Sequence, residues 1–465
     1  MAVPPSVVVG GSIAALVTAD RLAAAGRAVE LHVPERGVGG GFVPIEVGER
    51  RLDLGVRLIE LSYDDAVGAA PPLAHYQAGP HGHRPYLQLI NQFVDGLVGG
   101  ELVVVPTPQA SIDGIWIDDY VLTGNLAGVM AALPDYEREA MASQAARCLD
   151  AEGPHGVFAA GREEERWGRT LDDVGRAHAG DLFHERLMES LAAKILPGGC
   201  SSIVAALHRK VWLPLFHPVT VWEACTGRLA YEPDRTFFTV AGGGMGEVAR
   251  RLIDRVMSSP LVQVEVSGPL VGLASGPGDE VELQFADGGV LRADRPVLGV
   301  GPEELFAAAG IGLGAERVVA TMVWADVPDA DVRSVPSAIF ATEPDIGVFR
   351  VSENLADRRT GHRTFCCELD HRADDPTAWA DVARSALVAL GLVVPGAGIE
   401  VVTAASRPAY ARPGPSDLAA FRQAAARFDE QAVPALVVGG AAAFGADSFN
   451  EQVVQALAAV EVLID

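Results

Sequence analysis

Gly10, Ser12 and Ala15 follow directly on the apolar run Val7-Val8-Val9, a spacing suited to cradling a phosphate. Such a turn needs glycine first for the tight bend and a small second residue so that the backbone can approach a pyrophosphate. A small third residue lets helix and strand pack closely. Ser12 is a compromise, adding a hydroxyl and a Cβ where glycine is usual, and Ala15 is an accepted variant. The free N–H groups of a helix opening at Ile13 and Ala14 would then face the anion with the positive end of the helix dipole. Lys194, Arg350 and Tyr410 offer chemistry of another kind. Burial lowers a lysine's pKa, a guanidinium grips a carboxylate or phosphate bidentately, and a phenol hydrogen-bonds a substrate. Each also has a plainer reading: a surface ion pair, a structural salt bridge and core packing.

The elements that must hold the turn are readable around it. Val7–Val9 reads as a strand, residues 13–25 as a helix with Gly26 as its C-cap, and Ala28–Val33 as a second strand. This β-turn-α-β order opens a doubly wound dinucleotide fold. The acidic residue expected at the end of the second strand, to bind ribose hydroxyls, is Val33, which accepts no hydrogen bond. Glu30 lies inside the strand, and Glu35 substitutes only if Pro34 bends the chain towards the ribose.

Residues 38–57 carry Gly39, Gly40, Gly41, Gly48 and Gly55 around Asp53-Leu54-Gly55-Val56-Arg57, which suggests backbone close to a ligand, or tight turns. From about 85 to 235 the pattern is mostly helical, with Trp167, Trp212, Phe216 and Trp222 expected in the core. Strand patterns return at 262–273, 281–285 and 296–300, with Asp287-Gly288-Gly289 as a hairpin turn. Further strands are expected at 316–326, 346–351, 363–369 and 398–404, then a helix at 416–430. A strand at Ala435–Val438, a Gly/Ala turn and a helix from Asn450 to Leu463 complete the pattern.

The predicted class is therefore α/β. Both chain ends (1–70, 236–310 and 411–465) read as one Rossmann-type dinucleotide-binding domain. It carries an inserted α+β substrate domain, with a mostly helical region at 71–235 and strands at 311–410.

The chain has 465 residues, 36 Lys+Arg against 61 Asp+Glu, and a net charge of −25. Without a basic face, nucleic acid is a poor partner. Only Lys194 and Lys210 are lysines, a bias that, with the abundant Ala and Gly, suits a GC-rich genome. No long uncharged apolar span and no leader pattern are apparent, and the cysteines form no C-x-x-C pair, so a cytoplasmic protein with reduced thiols and no membrane span is expected. His75, His81 and His83 lie in a Gly/Pro loop read as solvent-exposed near the mouth of a site; no metal site is expected.

VVVGGSIAALVTADRLAAAGRAVELHV followed by ERGVGGGF resembles the FAD-binding enzymes of the amine oxidase and protoporphyrinogen oxidase superfamily, to which UDP-galactopyranose mutase is related. In that group an Arg and a Gly-Gly pair follow the second strand, matched by Arg36 and Gly39-Gly40. An Asp-x-Gly-x-His element under the flavin is matched by Asp53, Gly55, Val56 and Arg57, with Arg in the His position. Gly242-Gly243-Gly244-Met245-Gly246 is similar to the family's glycine-methionine-glycine turn, and Leu270 to the strand whose backbone borders the adenine. LVVGGAAAFGADSFNEQVVQAL resembles the last strand, glycine turn and final helix. There Gly439, Gly440, Asp447, Ser448, Phe449, Asn450 and Glu451 would line the flavin, and the helix dipole would stabilise negative charge on the reduced ring.

The resemblance implies bound FAD and an oxidoreductase taking hydride from a small organic substrate, in keeping with bacterial specialised metabolism. Lys194, Arg350 and Tyr410 are its catalytic candidates; a homodimer is left open. Two alternatives stand beside it: a flavin-dependent non-redox sugar mutase, and a flavin-less relative that keeps the fold for binding or other catalysis.

Overall fold

Five strands drawn from distant parts of the chain lie side by side, all parallel, in the computed structural model, which describes residues 4–56, 58–62, 70–229 and 236–464. They are β1 (Ser6–Val9), β2 (Val29–Val33), β3 (Val262–Val266), β4 (Val297–Leu298) and β5 (Leu436–Val437), in the order β3-β2-β1-β4-β5. Parallel strands covered on both faces must be apolar throughout; Val7, Val8, Val9, Leu31 and Val297 are all buried. Helix α1 (Ile13–Ala24) follows β1 and packs against α2 (Phe449–Ile464). Ser12 caps α1, its Oγ accepting the Ala15 N–H at 3.2 Å. Gly26, with φ +79°, lets the chain leave the helix in the left-handed conformation.

A second sheet has seven strands, in the order Glu400–Ala411, Arg317–Pro328, His362–Leu369, Val348–Glu353, Ala338–Ala341, Gln109–Ile112 and Ile115–Asp118. Its neighbours are antiparallel except where Ala338–Ala341 meets Gln109–Ile112. The last two strands come from the stretch read as mostly helical. Their turn, Asp113-Gly114, has φ of 53° and 75° at its two central residues, the geometry in which an Asp-Gly pair closes a two-residue hairpin. Leu102–Val104 is also a strand, paired with Thr236–Val240. Helices, including Asp135–Glu152 and Leu171–Ala179, make up much of the rest of that stretch's described part.

The run expected at 262–273 divides into β3 and Leu270–Ser275, because Gly268 and Pro269 interrupt the ladder between them. Asp287-Gly288-Gly289 joins Glu280–Phe285 to Val290–Asp294, its aspartate accepting the Gly289 and Gly268 N–H groups at 2.9 and 3.0 Å. Cys366 and Cys367 point to opposite faces of the large sheet, and all five cysteines are free thiols. Among the described residues no helix is long and apolar enough to cross a membrane.

Candidate active site

The dinucleotide turn forms at the carboxyl end of β1, where the open parallel sheet offers its crevice. Gly10 has φ +121°, and a Cβ there would lie 2.3 Å from the Gly299 carbonyl oxygen, so only glycine fits. Gly299 answers from β4's side: a Cβ on it would lie 2.7 Å from that of Ala15. Ile13, Ala14 and Ala15 are buried. The Ala14 N–H, which an anion would use, donates to Oε1 of Gln452 at 3.2 Å. Gly39 reaches the turn by donating its N–H to the Gly11 carbonyl at 2.7 Å. Gly40, Glu35 and Arg36 are exposed, while Val33 is buried. Leu270 turns its side chain into the core and gives its N–H to Glu304 at 2.8 Å.

The segment after the turn is tied to the large sheet. Asp53 accepts the N–H groups of Leu355 and Ala356 at 3.2 and 3.1 Å, and its carbonyl accepts from the Trp324 indole at 2.9 Å. Gly55, with φ +77°, lies against Glu368; a Cβ on it would sit 2.7 Å from the Glu368 carboxylate. Val56 follows and lines a cavity. Arg57 lies outside the described residues.

That cavity, of about 340 Å³, opens where the 42–60 segment, the 80–84 turn, the 206–212 stretch and the start of α2 converge. Trp212, Tyr410, Phe42, Phe237 and Phe449 give it aromatic walls. Of the residues expected from the last turn and final helix, Ser448, Phe449, Asn450, Asp447 and Glu451 line it, whereas Gly439 and Gly440 do not. Asn450 donates to the Glu60 carbonyl at 2.9 Å, and Ser448 Oγ accepts the Glu451 N–H at 3.3 Å, capping α2. Glu451, in the first turn, is buried and accepts from the Tyr76 hydroxyl at 2.8 Å and from His83 Nδ1 at 2.7 Å.

The three catalytic candidates part company. Tyr410 lines the cavity, and the Lys210 ammonium sits 5.5 Å from its ring centroid. Arg350 is buried in a bidentate pair with Glu368, at 2.6 and 2.7 Å, with its guanidinium 5.0 Å from the Trp212 ring. It touches the cavity wall from behind. Lys194 does not line the cavity, nor is it a surface residue: 1% exposed, it donates to the carbonyls of Ala341, Ile346 and Val348 at 3.0, 2.8 and 3.0 Å. Burial pulls its ammonium down to about 8.

Several side chains carry more of this site than their sequence context indicated. His81 and His83 are not a solvent-exposed loop. His83 is buried on Glu451, and His81 faces the cavity, where burial, with His208 and Arg84 nearby, holds it neutral down to about 2. Only His75 of the three is exposed. Trp212 packs against the helical core, as expected, and also lines the cavity, with φ +62°, a conformation bulky residues rarely adopt. Lys210 pairs with Asp447 at the cavity wall. Away from the cavity, His184, Glu189 and Cys200 bring potential ligand atoms within 4.8 Å of one another. There Glu189 is engaged by the Cys200 N–H at 2.8 Å and His184 by Asp172 at 3.0 Å.

A scan against protein-family models finds no match, and neither does a search of curated sequences. Solved structures do match along the whole chain. Reduced UDP-galactopyranose mutase superposes with a TM-score of 0.72 at 14% identity, covering 100% of this chain and 94% of its own. A putrescine oxidase redesigned in its cofactor binding gives 0.60 at 14%, covering 99% of each chain. Cyclohexylamine oxidase from Brevibacterium oxydans gives 0.56 at 13%, covering 99% of this chain and 100% of its own.

Proposed function

On the FAD-binding, amine oxidase-like fold that this chain has, we propose an oxidoreductase that oxidises a small, largely apolar organic substrate. The observation carrying this reading is the aromatic cavity at the N-terminus of α2, beside the segment from Phe42 to Glu60. FAD supplies the acceptor for the substrate's hydride, and the protein supplies orientation and electrostatics. At the flavin end the residues suit an aromatic ring system: Phe42, Phe449 and Trp212 present flat aromatic surfaces, with aliphatic Val56 beside them. The Lys210–Asp447 pair is a polar anchor beside Tyr410 in that lining. Neutral His81 adds no positive charge to repel an amine.

The phosphate end suits the cofactor less well. Gln452 holds the Ala14 N–H, and Val33 stands where an acceptor for the ribose is usual. Glu451 also places a carboxylate in the first turn of α2, where the dipole would otherwise favour negative charge on a reduced ring. These contacts favour a second reading, a flavin-less relative that binds a small molecule in the same cavity.

Absorption spectra of the purified chain before and after incubation with FAD and removal of free flavin separate the two. Bands near ~370 and ~450 nm that stay with the protein and bleach anaerobically with candidate amines or alcohols support the oxidoreductase. A chain that retains no FAD after incubation refutes it.

A further inference from the structure

We propose that Gln452 occupies the pyrophosphate position of the dinucleotide turn and must swing out for FAD to bind, so that this one side chain sets how tightly the chain holds its cofactor. The proposal rests on the oxidoreductase reading above. Gln452 stands on α2, far along the chain from the turn, and its amide is used at both ends: Oε1 accepts the Ala14 N–H at 3.2 Å and Nε2 donates to the Asp447 carbonyl at 2.9 Å. The side chain is 5% exposed.

One helical turn on, Gln455 repeats the arrangement. Its Oε1 accepts the Gly439 N–H, and its Nε2 donates to the Ala446 carbonyl at 2.8 Å. Two glutamines on one helix face therefore aim their acceptor atoms at the two glycine turns that converge on the cofactor position. With Ser12 Oγ on the Ala15 N–H and the Gly11 carbonyl on that of Gly39, these backbone donors all have partners within the chain.

The first N–H groups of a helix have no partner within the helix, which is why anions settle there. A glutamine oxygen satisfies the same donor without bringing charge. A phosphate oxygen is the stronger acceptor, because charge-assisted hydrogen bonds exceed neutral ones. FAD can therefore displace Gln452, but only by breaking two hydrogen bonds of a buried amide. Removing the neutral competitor frees the donor, and one such bond is worth roughly a fivefold change in affinity.

The test titrates the deflavinated full-length chain with FAD and, separately, with riboflavin, following flavin fluorescence. Gln452→Ala is expected to tighten FAD about five- to tenfold and to leave riboflavin, which has no phosphate, unchanged. Gln452→Glu keeps an acceptor on Ala14 but sets a carboxylate against the pyrophosphate and against the Asp447 carbonyl; it is expected to weaken FAD more than about tenfold and to lower the melting temperature of the apo chain. If both variants bind FAD as wild type does, the Gln452 proposal is overturned while FAD binding stands. If Gln452→Ala changes FAD and riboflavin alike, the effect lies in the cavity and the proposal is likewise overturned. If neither wild type nor Gln452→Ala binds FAD, the oxidoreductase reading falls with it.

Discussion

Replacing Lys194 with methionine separates a structural lysine from a catalytic one. The ammonium sits 1% exposed among the carbonyls of Ala341, Ile346 and Val348, so Lys194→Met keeps the volume and leaves three buried acceptors without a donor. At about 2 kcal/mol for each orphaned acceptor, the loss is about 6 kcal/mol. Against this, burial that pulls the ammonium from 10.5 to about 8 shows that the charged form is disfavoured by about 3 kcal/mol, which the methionine recovers. A net destabilisation of about 3 kcal/mol at pH 7 is expected. The pH dependence is the sharper test. A base whose folded pKa lies below its unfolded value costs stability while charged, and that cost disappears as pH rises from about 8 to 10.5. The wild type should gain on the variant by roughly 2 kcal/mol between pH 7 and pH 10, since the neutral amine still donates two hydrogens. Urea unfolding of both chains at the two pH values measures this. Equal stability at pH 7, or a gap that does not widen with pH, refutes the reasoning.

Arg350→Met should cost about 3–5 kcal/mol by stranding the Glu368 carboxylate, whereas adding Glu368→Leu should recover most of it; denaturant unfolding of Arg350→Met, Glu368→Leu and the double variant closes the cycle. Glu451→Ala deprives the Tyr76 hydroxyl and the His83 N–H groups of their acceptor, so a loss of about 2–4 kcal/mol is expected by thermal or chemical unfolding. Gly10→Ala drives a methyl into the Gly299 carbonyl and forces φ +121° on alanine, so little soluble folded protein should be recovered, whereas Gly26→Ala, with open space around it, should fold. The guanidinium of Arg250, with that of Arg251, holds Glu247 down to about 2, so its contribution to stability is complete above its ordinary 4.5 and disappears as pH falls towards 2; Glu247→Gln should flatten acid unfolding across that window.

The parallel sheet was readable because its determinants are local. Val7–Val9, the glycine turn and the 13–24 helix declare themselves within twenty-odd residues, and the final strand and helix do the same. The hairpin at Asp113-Gly114 carried a local signal as well, an Asp-Gly pair between Ile112 and Ile115, obscured by the helical patterns around it. Elsewhere the decisive partner is remote. Nothing near Lys194 announces the three carbonyls that surround it, nothing near His83 announces Glu451, and Gln452 reads as an ordinary helix residue until α2 is laid against α1. Trp212 packs against the helical core, as its composition context suggests, but its second role in the cavity wall and its positive φ have no sequence signature.

The order of strands in the parallel sheet also sets a timetable. β1 ends at residue 9, and its neighbour-but-one, β5, begins at residue 436. Translation at roughly 5–20 residues per second puts about 20–85 seconds between them. For that interval the nascent chain carries an apolar strand whose sheet has not been finished, while the seven-stranded sheet is complete at residue 411 with the helix that covers it, Trp379–Ala389, already made. Biogenesis of this protein is thus a waiting problem: β1 must be shielded until β5 and α2 arrive.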